Sequence, residues 1–154
     1  MIKIDDIPEA VLQQIREHAR EGFEIPYEVC GLLVDTPEGL VYRREKNLSE
    51  VPDGFAIDPR AYHEAVNQGD LVAVVHSHNE NPLAMSELDR RFCNRSSLSW
   101  VLIQMPSEEV AVFYPQRQDE RFVGRVYREG DADPFTLVRD YFFKELEIEA
   151  PVPP

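Results

Sequence analysis

The chain has 154 residues, 43% of them hydrophobic, which suits one domain of ordinary size with a core of its own. Lys plus Arg number 16 against 29 Asp plus Glu, a formal charge of -13, so the surface repels a nucleic-acid backbone and an anionic membrane alike. Two cysteines, Cys30 and Cys93, make no disulfide framework, the start MIKIDDIPEA lacks the basic and apolar parts of a signal peptide, and no apolar run approaches spanning length, so a soluble, cytoplasmic protein is expected.

In chain order, a helix comes first. Asp6 is placed to cap it and Pro8 lies in its first turn; Val11, Leu12, Ile15 and Ala19 recur at helical spacing, and Gly22 ends it. CGLLVDTPEGLVYRRE, from residue 30, reads as a hairpin turning around Pro37 and Gly39. The basic stretches YRREK (42–46) and DRRFCNR (89–95) are short and broken by acids or apolar residues, as on a solvated face. NLSEVPDGF (47–55) is rich in turn formers and reads as a loop. IDPRAYHEAVNQG (57–69) is a second helix, capped by Asp58 with Pro59 just inside. DLVAVVHSH (70–78) is a strand so apolar that both faces should be covered. NENPLAM (79–85) is loop, SELDRRFCNRS (86–96) a third helix, SWVLIQM (99–105) and EVAVFYP (109–115) strands, and RFVGRVYRE (121–129) another.

Strands alternate with helices and then follow one another, which predicts an α/β or α+β domain, a mixed central β-sheet flanked by helices. DPFTLVRDYFFKELEIEAPVPP opens as a helix at Asp133 and Pro134 and closes on a Pro-rich tail, so the chain divides into a domain over 1–130 and a tail over 131–154. No internal repeat or low-complexity tract occurs.

Successive side chains on a strand face opposite ways, so His76 and His78 project together at the end of a buried strand. Two imidazoles so placed suit one metal ion, at Zn–N distances of roughly 2.0–2.1 Å. Ser86 opens the next helix, and Asp89 on its first turn can reach back as a third, anionic ligand. Two His and a carboxylate leave a fourth position for water, as a catalytic zinc requires. Plainer readings exist. SELD fits a capping box, which taken alone explains Ser86 and Asp89 better, and strand ends often carry polar residues. The two readings are compatible, because Ser86 can cap the helix while Asp89 binds metal. The activated water needs a base. Glu28, in PYEVCGLL just before an apolar strand, is placed for this at the sheet's edge, although spacing alone does not separate it from a surface glutamate.

The set Glu28, HSH at 76–78, Ser86 and Asp89 resembles the signature of the JAMM (MPN-plus) metalloproteases, Glu … His-x-His-x(7)-Ser-x(2)-Asp, with every defining position filled. PYEVCGLL resembles that family's Glu-x-Cys-Gly block and FAIDPRAY its Phe-x-Ile-Asp-Pro segment. The resemblance implies the JAMM/MPN fold, which is cytidine-deaminase-like, and Zn2+ held by His76, His78 and Asp89. Glu28 would be the general base, passing the proton to the leaving amine, and Ser86 would hold the water or stabilise the oxyanion. The implied reaction is hydrolysis of a peptide or isopeptide bond in a protein or peptide substrate. In eukaryotic relatives that is a ubiquitin conjugate, and in bacterial and archaeal relatives often the conjugate of a small ubiquitin-like protein. One departure is Asn79, where many members have proline; it should alter loop stiffness more than metal binding.

SELDRRFCNRSSLSWVLIQMP is similar to the bacterial and phage-tail branch, in which a JAMM domain can precede an NlpC-type cysteine peptidase domain. The segment from Asp133 resembles the opening of that second domain, but Pro134 stands where the nucleophilic cysteine would be, so no cysteine-peptidase activity is expected. Among other candidates, Cys30 could be a nucleophile with His63 as base, but packing beside Gly31 is the simpler role. Cys93 should be core or half-buried, His18 and His63 surface residues, and Trp100 core or cleft wall. Three functions follow: a zinc-dependent peptidase, a scaffold protein of a virion tail that keeps the fold without turnover, and a cell-wall peptidase.

Overall fold

The computed structural model describes residues 1–51 and 53–116. The predicted strand over 121–129, the helix and tail after Asp133, and the boundary at 130 lie outside the described residues. The most apolar run of the chain becomes the middle of a sheet. This strand, β3 (Asp70–Asn79), is flanked by β1 (Cys30–Thr36) and β4 (Ser99–Met105), with β2 (Gly39–Glu45) and β5 (Glu109–Phe113) outside them. The order is β2-β1-β3-β4-β5 among the described residues; β3 and β4 are parallel and the other neighbours antiparallel, giving the mixed sheet expected.

Alternation along β3 decides which helix covers which face. Ala73 and Val75 join Leu33, Val101 and Ile103 under α1 (Glu9–Glu24), whose Val11, Leu12, Ile15 and Ala19 form its buried stripe. Val74 lies on the other face with Cys30, Leu32, Val34 and Trp100, under α2 (Pro59–Gln68) and α3 (Glu87–Ser96). His76 and His78 share that second face by the same two-residue period. Both faces of β3 are thus covered, as its composition predicts. The hairpin turns at Pro37 and Glu38, and Gly39 begins β2 with φ +123°, a conformation that L side chains rarely adopt.

Three local expectations are corrected. Asp6 does not cap α1. It closes a 3-10 turn (Ile4–Asp6), where its carboxylate accepts the Lys3 N–H at 2.9 Å, and Pro8 takes the position before the helix. Gly22 does not end α1, which runs on to Glu24; a Cβ there would lie 2.2 Å from Val29 Cγ1 and 2.8 Å from the Tyr27 carbonyl. The glycine marks close packing of the helix on the segment before β1. His18 is half-buried rather than a surface residue, its Nδ1 sharing a 2.7 Å hydrogen bond with the Tyr42 hydroxyl. His63 is exposed, as expected.

Candidate metal centre

Burying a polar side chain costs free energy unless it finds partners, so polar residues on a buried strand mark a place where something compensates. His76 is 0% and His78 5% exposed. Asp89, at 8%, comes to them from the first turn of α3. Its Oδ2 lies 3.3 Å from His76 Nε2 and 3.1 Å from His78 Nε2. One ligating atom from each of these residues falls within 4.8 Å of the others, the one such group of three His, Cys, Asp or Glu among the described residues.

The orientation of each ligand is set by a different element. His78 Nδ1 lies 2.8 Å from the Pro82 carbonyl. A carbonyl only accepts, so Nδ1–H is the donor and the lone pair of a neutral ring sits on Nε2, facing Asp89. This is how an outer partner fixes the tautomer of a metal-binding histidine. His76 is held by rings instead: Phe55 stacks on it at 4.7 Å and Trp100 meets it edge-on at 5.4 Å. Its Nδ1 is buried without a hydrogen-bond partner among the described residues. Asp89 is set by a capping box. Ser86 Oγ accepts the Asp89 N–H at 3.0 Å, and the Ser86 N–H donates to Asp89 Oδ2 at 3.2 Å. The capping reading of SELD therefore holds, and it leaves Asp89 facing both imidazoles. Ser86 itself is exposed.

Two imidazole nitrogens and a carboxylate oxygen directed at one another suit a shared positive charge, whether a proton or a cation. The titration directions agree. Burial alone would raise the Asp89 carboxyl, but hydrogen bonds from His76, His78 and Ser86 hold it well below the usual carboxylate range. Burial lowers His76. For His78 burial also acts downward, yet its bonds to Asp89 and Pro82 and the nearby Glu28 charge raise it. The donor set of two nitrogens and one oxygen fits a divalent cation such as zinc.

Glu28 is 4% exposed and so is not a surface glutamate. Nor does it lie at a lateral edge of the sheet; it precedes β1, an internal strand. The register Cys30↔His76, carried two residues outward on each strand, puts Glu28 opposite His78. Ser77, between the two histidines but facing the other way, secures this. Its Oγ accepts the Val29 N–H at 2.8 Å and its N–H donates to the Val29 carbonyl at 3.0 Å. Burial pushes the Glu28 carboxyl up to about 8, against a downward pull from His78, with Asp89 and Asp53 adding to the rise. Beside it opens a cleft of about 460 Å³ lined by Tyr27, Glu28, Glu45, Asn47 and Ser49 among others.

Residues 8–118 match the family described as prokaryotic homologs of the JAB domain. The chain belongs to this family. Tail tip assembly protein K of Escherichia phage N15 is 31% identical to this JAB-domain chain over 132 residues, 85% of the chain and 54% of that protein. Tail tip assembly protein K of Escherichia phage lambda is 33% identical over 86 residues, 56% of this chain and 41% of that protein. The chain thus spans about half the length of these curated relatives. Two solution structures share the JAB-domain fold. One, of a Desulfitobacterium hafniense protein, has 27% identity and a TM-score of 0.56, covering 68% of this chain and 77% of that one. The other, of a Salinibacter ruber protein, has 25% identity and a TM-score of 0.52, covering 82% and 90%.

Of the residues singled out by sequence, His76, His78 and Asp89 meet as a triad with Glu28 and Ser86 beside it. Cys30 is fully buried against Leu32 and Trp100, and burial drives its thiol far above the usual range, so it packs rather than attacks. Cys93 is buried, its thiol pushed up to about 12, again by burial first. Trp100 is the wall behind His76. Ser77, Pro82, Phe55 and Asn47 were not singled out as site residues. Phe55 carried a signal as the start of FAIDPRAY, and Ser77 as a hydroxyl on the α1 face of a buried strand, since such a group demands a partner.

Proposed function

We propose that this JAB domain is a zinc-dependent metallopeptidase that hydrolyses a peptide or isopeptide bond in a protein substrate, including conjugates of a ubiquitin-like protein. The observation that carries the reading is the convergence of three ligating atoms within 4.8 Å beside a buried Glu28. His76, His78 and Asp89 would hold the cation. When bound there, zinc supplies Lewis acidity that polarises a carbonyl and acidifies a water. Glu28 takes up the proton and delivers it to the leaving amine; its carboxyl is buried and stands opposite His78 in the strand register, which suits it to that transfer. Ser86 Oγ accepts the Asp89 N–H, which leaves its own hydroxyl hydrogen to hold a water or a developing oxyanion. Phe55 and Trp100 close off the His76 side from solvent.

The test combines metal analysis with hydrolysis of ubiquitin-like conjugates, peptides and cell-wall fragments. Glu28→Gln should keep the metal and lose turnover by roughly 10²–10⁴-fold, since it removes a base and no ligand. Undiminished hydrolysis in that variant would remove Glu28 from its role, and a protein with intact ligands that refuses zinc at neutral pH would end the peptidase reading.

A second reading is favoured by the names of the phage relatives: a part in tail-tip assembly, in the virion tail rather than free in the cytoplasm. It predicts defective tails from a null allele that Glu28→Gln rescues. The peptidase reading predicts that Glu28→Gln does not rescue. Cleavage of cell-wall fragments in place of protein conjugates would make the chain a cell-wall peptidase.

A further inference from the structure

We propose that Asn47 is the positioning residue of this site, a single amide that fixes the backbone of Glu28 and the ring of Phe55 around the metal triad at once. Every hydrogen-bonding position of the side chain is in use. Its Nδ2 donates to the Glu28 carbonyl at 2.9 Å and to the Gly54 carbonyl at 3.0 Å. Its Oδ1 accepts the Ser49 N–H at 2.9 Å and the Ala56 N–H at 3.1 Å. These four bonds join three stretches: the entry to β1, 19 residues away, the exit from β2 and the approach to α2.

The consequences fall on the triad from two sides. The peptide unit that joins Glu28 to Val29 is gripped by Ser77 from β3 and by Asn47 from the loop after β2, so the backbone that carries the carboxylate opposite His78 is held from two sides. Bonds to Gly54 and Ala56 bracket Phe55, and the Leu48 N–H to Ala56 carbonyl bond, 2.8 Å, closes the loop on itself. Phe55 is thereby delivered onto His76 at 4.7 Å and against Trp100 at 5.4 Å. A hydrophobic ring at the end of a polar loop would not hold that stacking by burial alone, because it is only half-buried. The four bonds of Asn47 go to no residue of the triad; it acts through Glu28 and Phe55.

The catalytic half of the proposal rests on the peptidase reading, but the positioning half does not. Trp100 is the one tryptophan of the chain and is 1% exposed, so its fluorescence reports on the Phe55–His76 stack directly. The variant is Asn47→Asp, which keeps both acceptors and turns two N–H donors into an oxygen facing the carbonyls of Glu28 and Gly54. The expected result is a folded protein that still binds Zn2+, with acrylamide quenching of Trp100 raised several-fold and its near-UV circular dichroism weakened. In the active enzyme kcat should fall on the order of 10²-fold at unchanged KM, the scale of a small misplacement of a reacting group. Thr36→Val is the control. It deletes side-chain bonds to Gly39 and Glu38 at the far end of β1, 2.8 and 3.3 Å, and should change neither Trp100 signal nor the kcat to KM split.

Wild-type quenching together with wild-type kcat in Asn47→Asp would overturn the proposal, as would the same changes in Thr36→Val. Should Asn47→Asp fail to fold, Asn47→Ser removes the reach without adding charge and is read by the same measurements. A wild-type protein without hydrolytic activity would defeat the peptidase reading alone, and the quenching comparison would still decide whether Asn47 holds Phe55 on His76.

Discussion

Ser77→Ala is the sharpest perturbation of the scaffold under the site. Ser77 is 0% exposed, and its Oγ is the acceptor for the Val29 N–H at 2.8 Å. Alanine fits the space and removes one oxygen, leaving a buried backbone donor without that acceptor. An unsatisfied buried donor costs about 1–3 kcal/mol, more than the bond itself contributes net. For a domain of this size that lowers Tm by roughly 4–12 °C. Urea denaturation with an unchanged m-value would show that the loss is one of stability rather than of compactness. Because the freed N–H belongs to the residue after Glu28, turnover should fall further than the folded fraction does. A Tm within about 1 °C of wild type, well below the expected range, together with unaltered turnover, would refute the claim that this bond fixes the register of Glu28 against His78.

Zinc should raise Tm with the logarithm of its free concentration above Kd, adding about 2.7 kcal/mol at 100-fold above Kd; thermal scans of His76→Ala and Asp89→Ala should show no such rise. Gly22→Ala should destabilise by about 1–3 kcal/mol, as overpacking does, because the new methyl meets Val29 and a fixed carbonyl; calorimetry decides. His18 supplies a pH dependence away from the triad. Burial, aided by Arg44 and opposed by Glu21, lowers it from 6.5 to about 4. Above pH 6.5 neither state holds the proton and the contribution is fully present; as pH falls toward 4 the unfolded chain gains a proton that the folded one refuses, and stability drops. Discounted for partial exposure, the drop is about 1–2 kcal/mol. His18→Gln should flatten it, measured as the difference between the two proteins so that His76 and His78 cancel.

Periodicity carried the fold because each element's buried face is written in its own residues: the stripe Val11, Leu12, Ile15 and Ala19, the unbroken apolar run of β3, the Asp58–Pro59 helix start. It also carried the triad, since a two-residue period puts His76 and His78 together and a helix start follows within one loop. The failures share one cause. Asp6 looked like a cap by type, but the Lys3 N–H was closer to hand. Gly22 looked like a stop, but the demand on it came from Val29, seven residues on. Asn47, Phe55 and Ser77 serve the site only because separate stretches meet there, and NLSEVPDGF has the composition of any surface loop. By spacing alone Glu28 was one acid among 29 Asp and Glu; the family resemblance singled it out, and the pairing of β1 with β3 sets it across from His78.

Asp89 explains why a metal site and a helix start share one sequence pattern. The first turn of a helix presents unpaired N–H groups and the positive end of its dipole, so it stabilises a carboxylate there. In α3 that carboxylate is Asp89, and the Ser86 N–H binds the same Oδ2 that faces both imidazoles. The capping box thus performs two tasks with two residues. It starts α3 and holds Asp89 in one orientation, and the Ser86 bond joins those of His76 and His78 in keeping the carboxylate ionised where burial alone would protonate it. An aspartate elsewhere on the helix would have to be desolvated and oriented at separate cost. The spacing Ser-x-x-Asp in this chain is therefore the spacing from a helix cap to its third residue. The helix that Asp89 begins thereby aims its carboxylate at both imidazoles.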